Sequence, residues 1–158
     1  MFIASVPVLF TVLLIAPLTL PLAGCGEKAP TLEDLNSTDV TLPNGTKIVC
    51  DTMRQSIDLR RGLMFRDALA PGRGMLFIYP KLERHPHWMY QVKFSVDTIW
   101  MDDDHNIVEM ILNMPPCDSK LASECPTYGG TRVSRFAVEV PAGFVRKNGL
   151  RADQKLDF

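Results

Sequence analysis

Excess basic charge is the first thing this sequence lacks: 17 Lys and Arg stand against 18 Asp and Glu, for a net charge of −1. Nucleic-acid binding rests on clustered positive charge, so nucleic acid is set aside as a partner. Histidine is scarce, with three in 158 residues. A metal centre built on imidazole therefore has few ligands to draw on, and no metal or cofactor is expected. The four cysteines include no pair with two intervening residues, which removes a thioredoxin-like redox motif. No Ser, Cys or His arrangement with recognisable nucleophile spacing is present. No internal repeat is visible, and at this length a second core is not expected.

Charge is also missing locally. Between Met1 and Leu22 there is no ionisable side chain, and the apolar run Val6 to Leu22 closes on Leu22-Ala23-Gly24-Cys25. This resembles a bacterial lipoprotein signal peptide with its lipobox. The expectation is a signal over 1–24, a mature chain opening at lipidated Cys25, and a flexible polar tether over 25–39. Two or three acyl chains, at about 0.8 kcal/mol per buried methylene, would hold the protein stably at a membrane. The basic opening such a signal normally carries is absent from Met1 to Ser5, and a start site further upstream would supply it. The competing expectation is an uncleaved membrane-spanning helix, which Pro7, Pro17 and Pro21 disfavour. Either way the remaining domain is exported and tethered. Gly26 after the cysteine resembles the choice that sorts a lipoprotein to the outer membrane in a cell with two membranes.

Twelve prolines and ten glycines break the rest into short elements. Pro43-Asn44-Gly45 between Val40-Thr41-Leu42 and Lys47-Ile48-Val49-Cys50 predicts an opening hairpin. Capping-box spacing from Thr52 to Gln55, with Gly62 as a stop, predicts a helix from about Met53 to Arg61. Strands are predicted over Gly74–Tyr79, His87–Lys93, Val96–Met101, Asn106–Leu112 and Ser134–Val140, with Asp102 to His105 as a turn. A second short helix is expected over Pro141–Asn148, stopped by Gly149, and a last edge strand over Lys155–Phe158. The expected fold is one mainly β domain over 40–158, antiparallel and sandwich- or barrel-like, with two short helices. A βαβ architecture is disfavoured, since its crossovers call for longer helices.

The ordered motifs Arg61-Gly-Leu-Met-x-Arg66, Gly74-Met-Leu-Phe, Trp88-Met89, Asp97, Ile107-Val108, Pro115-Pro116-Cys117, Cys125-Pro126-x-Tyr128 and Val138-Glu139-Val140-x-x-Gly143 resemble the domain of unknown function 192 family. The resemblance covers roughly Val40 to Phe158. It implies a small, mainly β, sandwich-like domain, often exported, with no established enzyme activity. Where many members follow Trp-Met with Lys, Asn and Thr, this chain has Tyr90, Gln91 and Val92.

Cys117 and Cys125 lie in a long loop and, outside the cytoplasm, are expected to pair as a structural disulfide. Cys50 is then the odd thiol, buried and inert. His85 and His87 could face one way along a strand, but no third metal ligand is evident. Asp102, Asp104 and Asn106 mimic the start of a calcium loop, yet Ile107 stands where that loop needs glycine. Asp97, inside an apolar segment, requires a partner if buried, and Arg61 and Arg66 are the expected ones. Trp88, Trp100, Tyr79, Tyr90 and the methionines form either a core or an apolar groove. Two functions follow. One is a non-enzymatic envelope lipoprotein that binds a protein or peptide partner. The other is a hydrolase or lyase using Asp97 with Arg61, Arg66 or His87 around a cleft, with Trp88 beside them.

Overall fold

The computed structural model describes Met1 and residues 36–158. The expected signal, the lipidated Cys25 and most of the tether lie outside the described residues. Among those described, no helix is long and apolar enough to cross a membrane.

Among the described residues, eight strands, β1 (Ser37–Thr41), β2 (Lys47–Met53), β3 (Arg73–Arg84), β4 (His87–Trp88), β5 (Val96–Met101), β6 (Ile107–Met114), β7 (Thr127–Tyr128) and β8 (Val133–Pro141), occur with two short α-helices, α1 (Ser56–Arg61) and α2 (Phe144–Asn148). Six strands form one sheet in the order β1-β2-β3-β8-β5-β6, and β4 and β7 pair separately. The sheet is open, not a closed barrel. The mainly β architecture with two short helices is therefore the observed one.

One pairing departs from an antiparallel sheet, because β2 and β3 run parallel. Their crossover carries only the six-residue α1. A short helix suffices because much of the link from 54 to 72 is irregular, so coil rather than helix supplies the reach. The predicted Met53 start of that helix is also early by three residues. Met53 still pairs with Phe77 in the sheet, and Gln55 occupies the cap position without a side-chain cap bond. The strand expected over His87–Lys93 shrinks to His87–Trp88, and Lys155–Phe158 contributes isolated bridges to Thr41 and Asn106 rather than a strand. In the other direction, β1 begins at Ser37, inside the segment expected to be tether.

Period-two alternation sorts side chains onto the two faces of the sheet. One face packs Leu76, Ile99, Val138 and Val140 with Val145 and Leu156. The other packs Met75, Phe77, Tyr79, Trp100 and Ala137 with Leu63, Met89 and Val92 from the overlying loops. Trp100 is fully buried, and its indole N–H donates to the His85 carbonyl at 2.8 Å, tying the segment after β3 down onto this face. That close approach requires glycine in the covering loop. A Cβ at Gly129 would lie 2.4 Å from the Trp100 ring, one at Gly130 would lie 2.4 Å from the Pro86 nitrogen, and both residues have positive φ.

Two irregularities place the side chains that matter below. Between the pairs Ile78↔Phe136 and Glu83↔Ser134, the four residues Tyr79 to Leu82 stand opposite Arg135 alone. Such a bulge bends the strand just where Tyr79 completes the inward row of Met75 and Phe77. On the far side, Asp97 stands opposite both Leu112 and Asn113, and Asn113 has a φ of 54°.

Candidate functional site

Beneath the loops of the second face, three polar side chains from three strands form a chain. Glu139 of β8 meets His87 of β4, Oε1 to Nδ1, at 2.7 Å. His87 Nε2 lies 2.5 Å from the Tyr79 hydroxyl of β3. All three residues are buried, between 5 and 8 % exposed. Burial, and secondarily the Glu139 charge, push the Tyr79 phenol above its ordinary range, so it holds its proton. Phe77 and Trp100 pack edge-on against the His87 ring, fixing its plane. The His85 ring stacks on Tyr79 at 3.6 Å and shields that face.

The chain forms the floor of a cavity of about 200 Å³ whose lining includes Arg61, Phe77, Tyr79, Arg84, His85, His87, Trp88, Tyr90 and Glu139. Arg61 comes from the last turn of α1, and Gly62, with φ of 45°, ends that helix. A Cβ at Gly62 would press on the Phe77 ring at 3.2 Å. Arg84 ends β3, opposite Val133. Arg66, Arg73 and Arg135 each have a carboxylate partner. Among the described residues Arg61 and Arg84 have none, and both are exposed at the cavity. Trp88, half-buried, and Tyr90 supply an aromatic wall, with ring centroids 5.9 Å apart.

Of the residues expected to act together, Arg61, His87 and Trp88 meet in this cavity, while Arg66 and Asp97 do not. Arg66 instead shares Asp51 with Arg73, its own contact being 2.6 Å, in a separate cleft beside Thr52, Met53 and Leu69. Asp97 corrects the expected ion pair. It is 1 % exposed, one oxygen accepts from the Asn113 N–H at 2.8 Å, and the other accepts from the Val145 N–H at 3.0 Å. The physical reason is local: the bulge at Asn113 and the first turn of α2 each leave a backbone donor unmet, and the carboxylate satisfies both. Asp97 is thus a structural tie between β5, β6 and α2, and it is not part of the cavity that holds Arg61 and His87.

The two close histidines converge on Tyr79 rather than on a metal. Among the described residues no cluster of three metal-ligating side chains occurs. Asp102 accepts from the Asp104 and Asn106 N–H groups, both at 2.9 Å, which closes the β5–β6 turn. Cys50 is buried as expected, and burial, with Asp51 second, pushes its thiol up to about 12. Cys117 and Cys125 form a disulfide. It closes the loop that leads into β7, and Cys117 N–H donates to the Met89 carbonyl at 3.2 Å just beyond β4. Glu139 was not distinguishable as a site residue by sequence, and Tyr79 was expected only as part of a core or an apolar groove. The one available signal was an acid at an inward position of β8, between Val138 and Val140.

The fold and site define a class: a small, open, mixed β-sheet domain with a buried Tyr–His–Glu chain under an arginine-bearing cavity. Residues 40–158 match the model of DUF192, described as an uncharacterized ACR, and the chain belongs to that family. Two crystal structures share the fold. One is a protein of unknown function from Novosphingobium aromaticivorans DSM 12444, with TM-score 0.67, 21% identity, and coverage of 77% of this chain and 85% of that one. The other, from Sinorhizobium meliloti 1021, is provisionally described as a transcription regulator, with TM-score 0.66, 21% identity, and coverage of 75% and 89%. At that identity the likeness extends to the fold alone. No curated protein matches the chain.

Proposed function

We propose that this protein is an exported, lipid-tethered binding module of the cell envelope, and that its cavity receives a small anionic group. The observation that carries the binding reading is the pair of unpaired guanidiniums, Arg61 and Arg84, at the mouth of a preformed, partly apolar cavity with a buried polar floor. Guanidinium groups offer planar, charge-assisted donors suited to carboxylate or phosphate. A concave site with apolar walls and a few convergent polar groups is the usual form of a small-molecule site. Export and tethering are supported by the apolar run Val6 to Leu22 and by Leu22-Ala23-Gly24-Cys25.

Each half of the reading has its own test. Titration with acetate and with inorganic phosphate, followed through the Trp88 indole N–H in NMR spectra, is expected to give a saturable shift that Arg61→Ala combined with Arg84→Ala abolishes. No saturable shift with either anion would remove the cavity from consideration as a receptor. Mass spectrometry of the mature amino terminus is expected to find acylated Cys25, and Cys25→Ser is expected to move the protein from the membrane to the soluble fraction. An unmodified cysteine would end the lipoprotein reading without touching the cavity.

A further inference from the structure

The protons of the cavity floor constrain what a ligand must bring. The Glu139 carboxylate can only accept at the Nδ1 of His87, so Nδ1 carries the ring proton. In the tautomer that carries its one ring proton on Nδ1, Nε2 is an acceptor, and the Tyr79 hydroxyl beside it, which keeps its proton, can direct it there. Tyr79 has no second proton to give. Towards the cavity its oxygen therefore offers lone pairs alone, while the guanidiniums of Arg61 and Arg84 offer only N–H donors. The site thus pairs cationic donors at the mouth with an acceptor at the floor, and Trp88 adds an apolar surface to the lining.

We infer that the cavity selects a small hydroxy acid, whose carboxylate is held by Arg61 and Arg84, whose hydroxyl donates to Tyr79 Oη, and whose carbon face lies against Trp88. This rests on the reading of the cavity as an anion receptor. Size agrees with it: about 200 Å³ lies below the range of pockets that take drug-sized ligands. That fits a molecule of a few carbons rather than a stretch of polymer. A plain carboxylic acid of equal size would leave Tyr79 Oη without a donor, and a neutral polyol would leave the guanidiniums without an anion.

The test uses three near-isosteric probes, lactate, propionate and glycerol, titrated into the full chain at neutral pH by NMR. Lactate is expected to bind about three- to tenfold more tightly than propionate, the effect of one neutral hydrogen bond, and glycerol is expected to give no saturable shift. Tyr79→Phe is expected to erase the lactate advantage while leaving propionate within about twofold of its wild-type affinity. Arg84→Ala is expected to weaken both acids about tenfold or more. If Tyr79→Phe fails to fold, the wild-type ratio of lactate to propionate decides alone. Equal affinities for the two acids would overturn the hydroxy-acid inference and leave the anion receptor standing, and binding of neither acid would remove both. Binding of glycerol as tight as that of lactate would also overturn the inference.

Discussion

Asp97 shows how one buried carboxylate can hold separate elements together. Its two oxygens answer backbone donors that no strand or helix partner reaches, one in the β6 bulge and one in the first turn of α2. Asp97→Ala is expected to strand two N–H groups and cost about 2–5 kcal/mol, and Asp97→Asn, which keeps one acceptor, less. Urea denaturation of the three proteins checks the order. An alanine variant as stable as wild type would mean the two donors find other partners. The sequence made Asp97 conspicuous as a lone acid among apolar neighbours, and that signal was sound as a marker of burial. It could not indicate the partner, because Asn113 and Val145 contribute main-chain groups, which every residue type carries.

Among the elements, β4 and β7 are the least secure, being two residues each and paired only with one another. The Cys117–Cys125 disulfide and the Cys117 contact to Met89 hold the loop that brings them together. In the chain-entropy model, removing the bridge with Cys117→Ser and Cys125→Ser is expected to cost about 2–3 kcal/mol. The loss should be uneven. Amides of β4 and β7 are expected to exchange with solvent faster, relative to wild type, than those of β5 and β8, whose pairing does not depend on the loop. Hydrogen exchange read by mass spectrometry or NMR distinguishes this from uniform weakening. Gly129→Ala acts on the same layer from the other side, because its methyl would enter the Trp100 ring. A loss of about 1–3 kcal/mol in thermal or chemical unfolding is the expected outcome. Strand existence was legible at this scale, most clearly for Val96–Met101, where predicted and observed bounds coincide. The β2–β3 crossover was not, because parallel pairing depends on where a coil link returns the chain and leaves no periodic trace.

For the molecule as a whole, stability should fall on the alkaline side. Cys50 titrates near 9 when unfolded and at about 12 in the fold. Above pH 9 the unfolded chain has therefore lost a proton that the folded chain keeps. Stability that is fully present below pH 9 is lost as pH rises towards 12, at up to about 1.4 kcal/mol per pH unit. Tyr79, also raised by burial, adds a loss of the same sign from about pH 10 upward. Urea unfolding at pH 8, 9, 10 and 11 is expected to show this slope, and Cys50→Ala is expected to flatten the part between 9 and 10. An unchanged slope in that variant would assign the alkaline loss elsewhere. The sequence by itself determined the mainly β class, the position of most strands, the burial of Cys50, the turn at Asp102 and the family. These are written in alternation, turn chemistry and local motif order, which act within a few residues. Only the tertiary structure decided that Tyr79, His87 and Glu139 form one chain beneath Arg61 and Arg84. Those contacts depend on the β3–β8 register, which brings Tyr79 and Glu139 to one face, and on a two-residue strand set by a distant loop, so their geometry exists only once register and loop closure are complete.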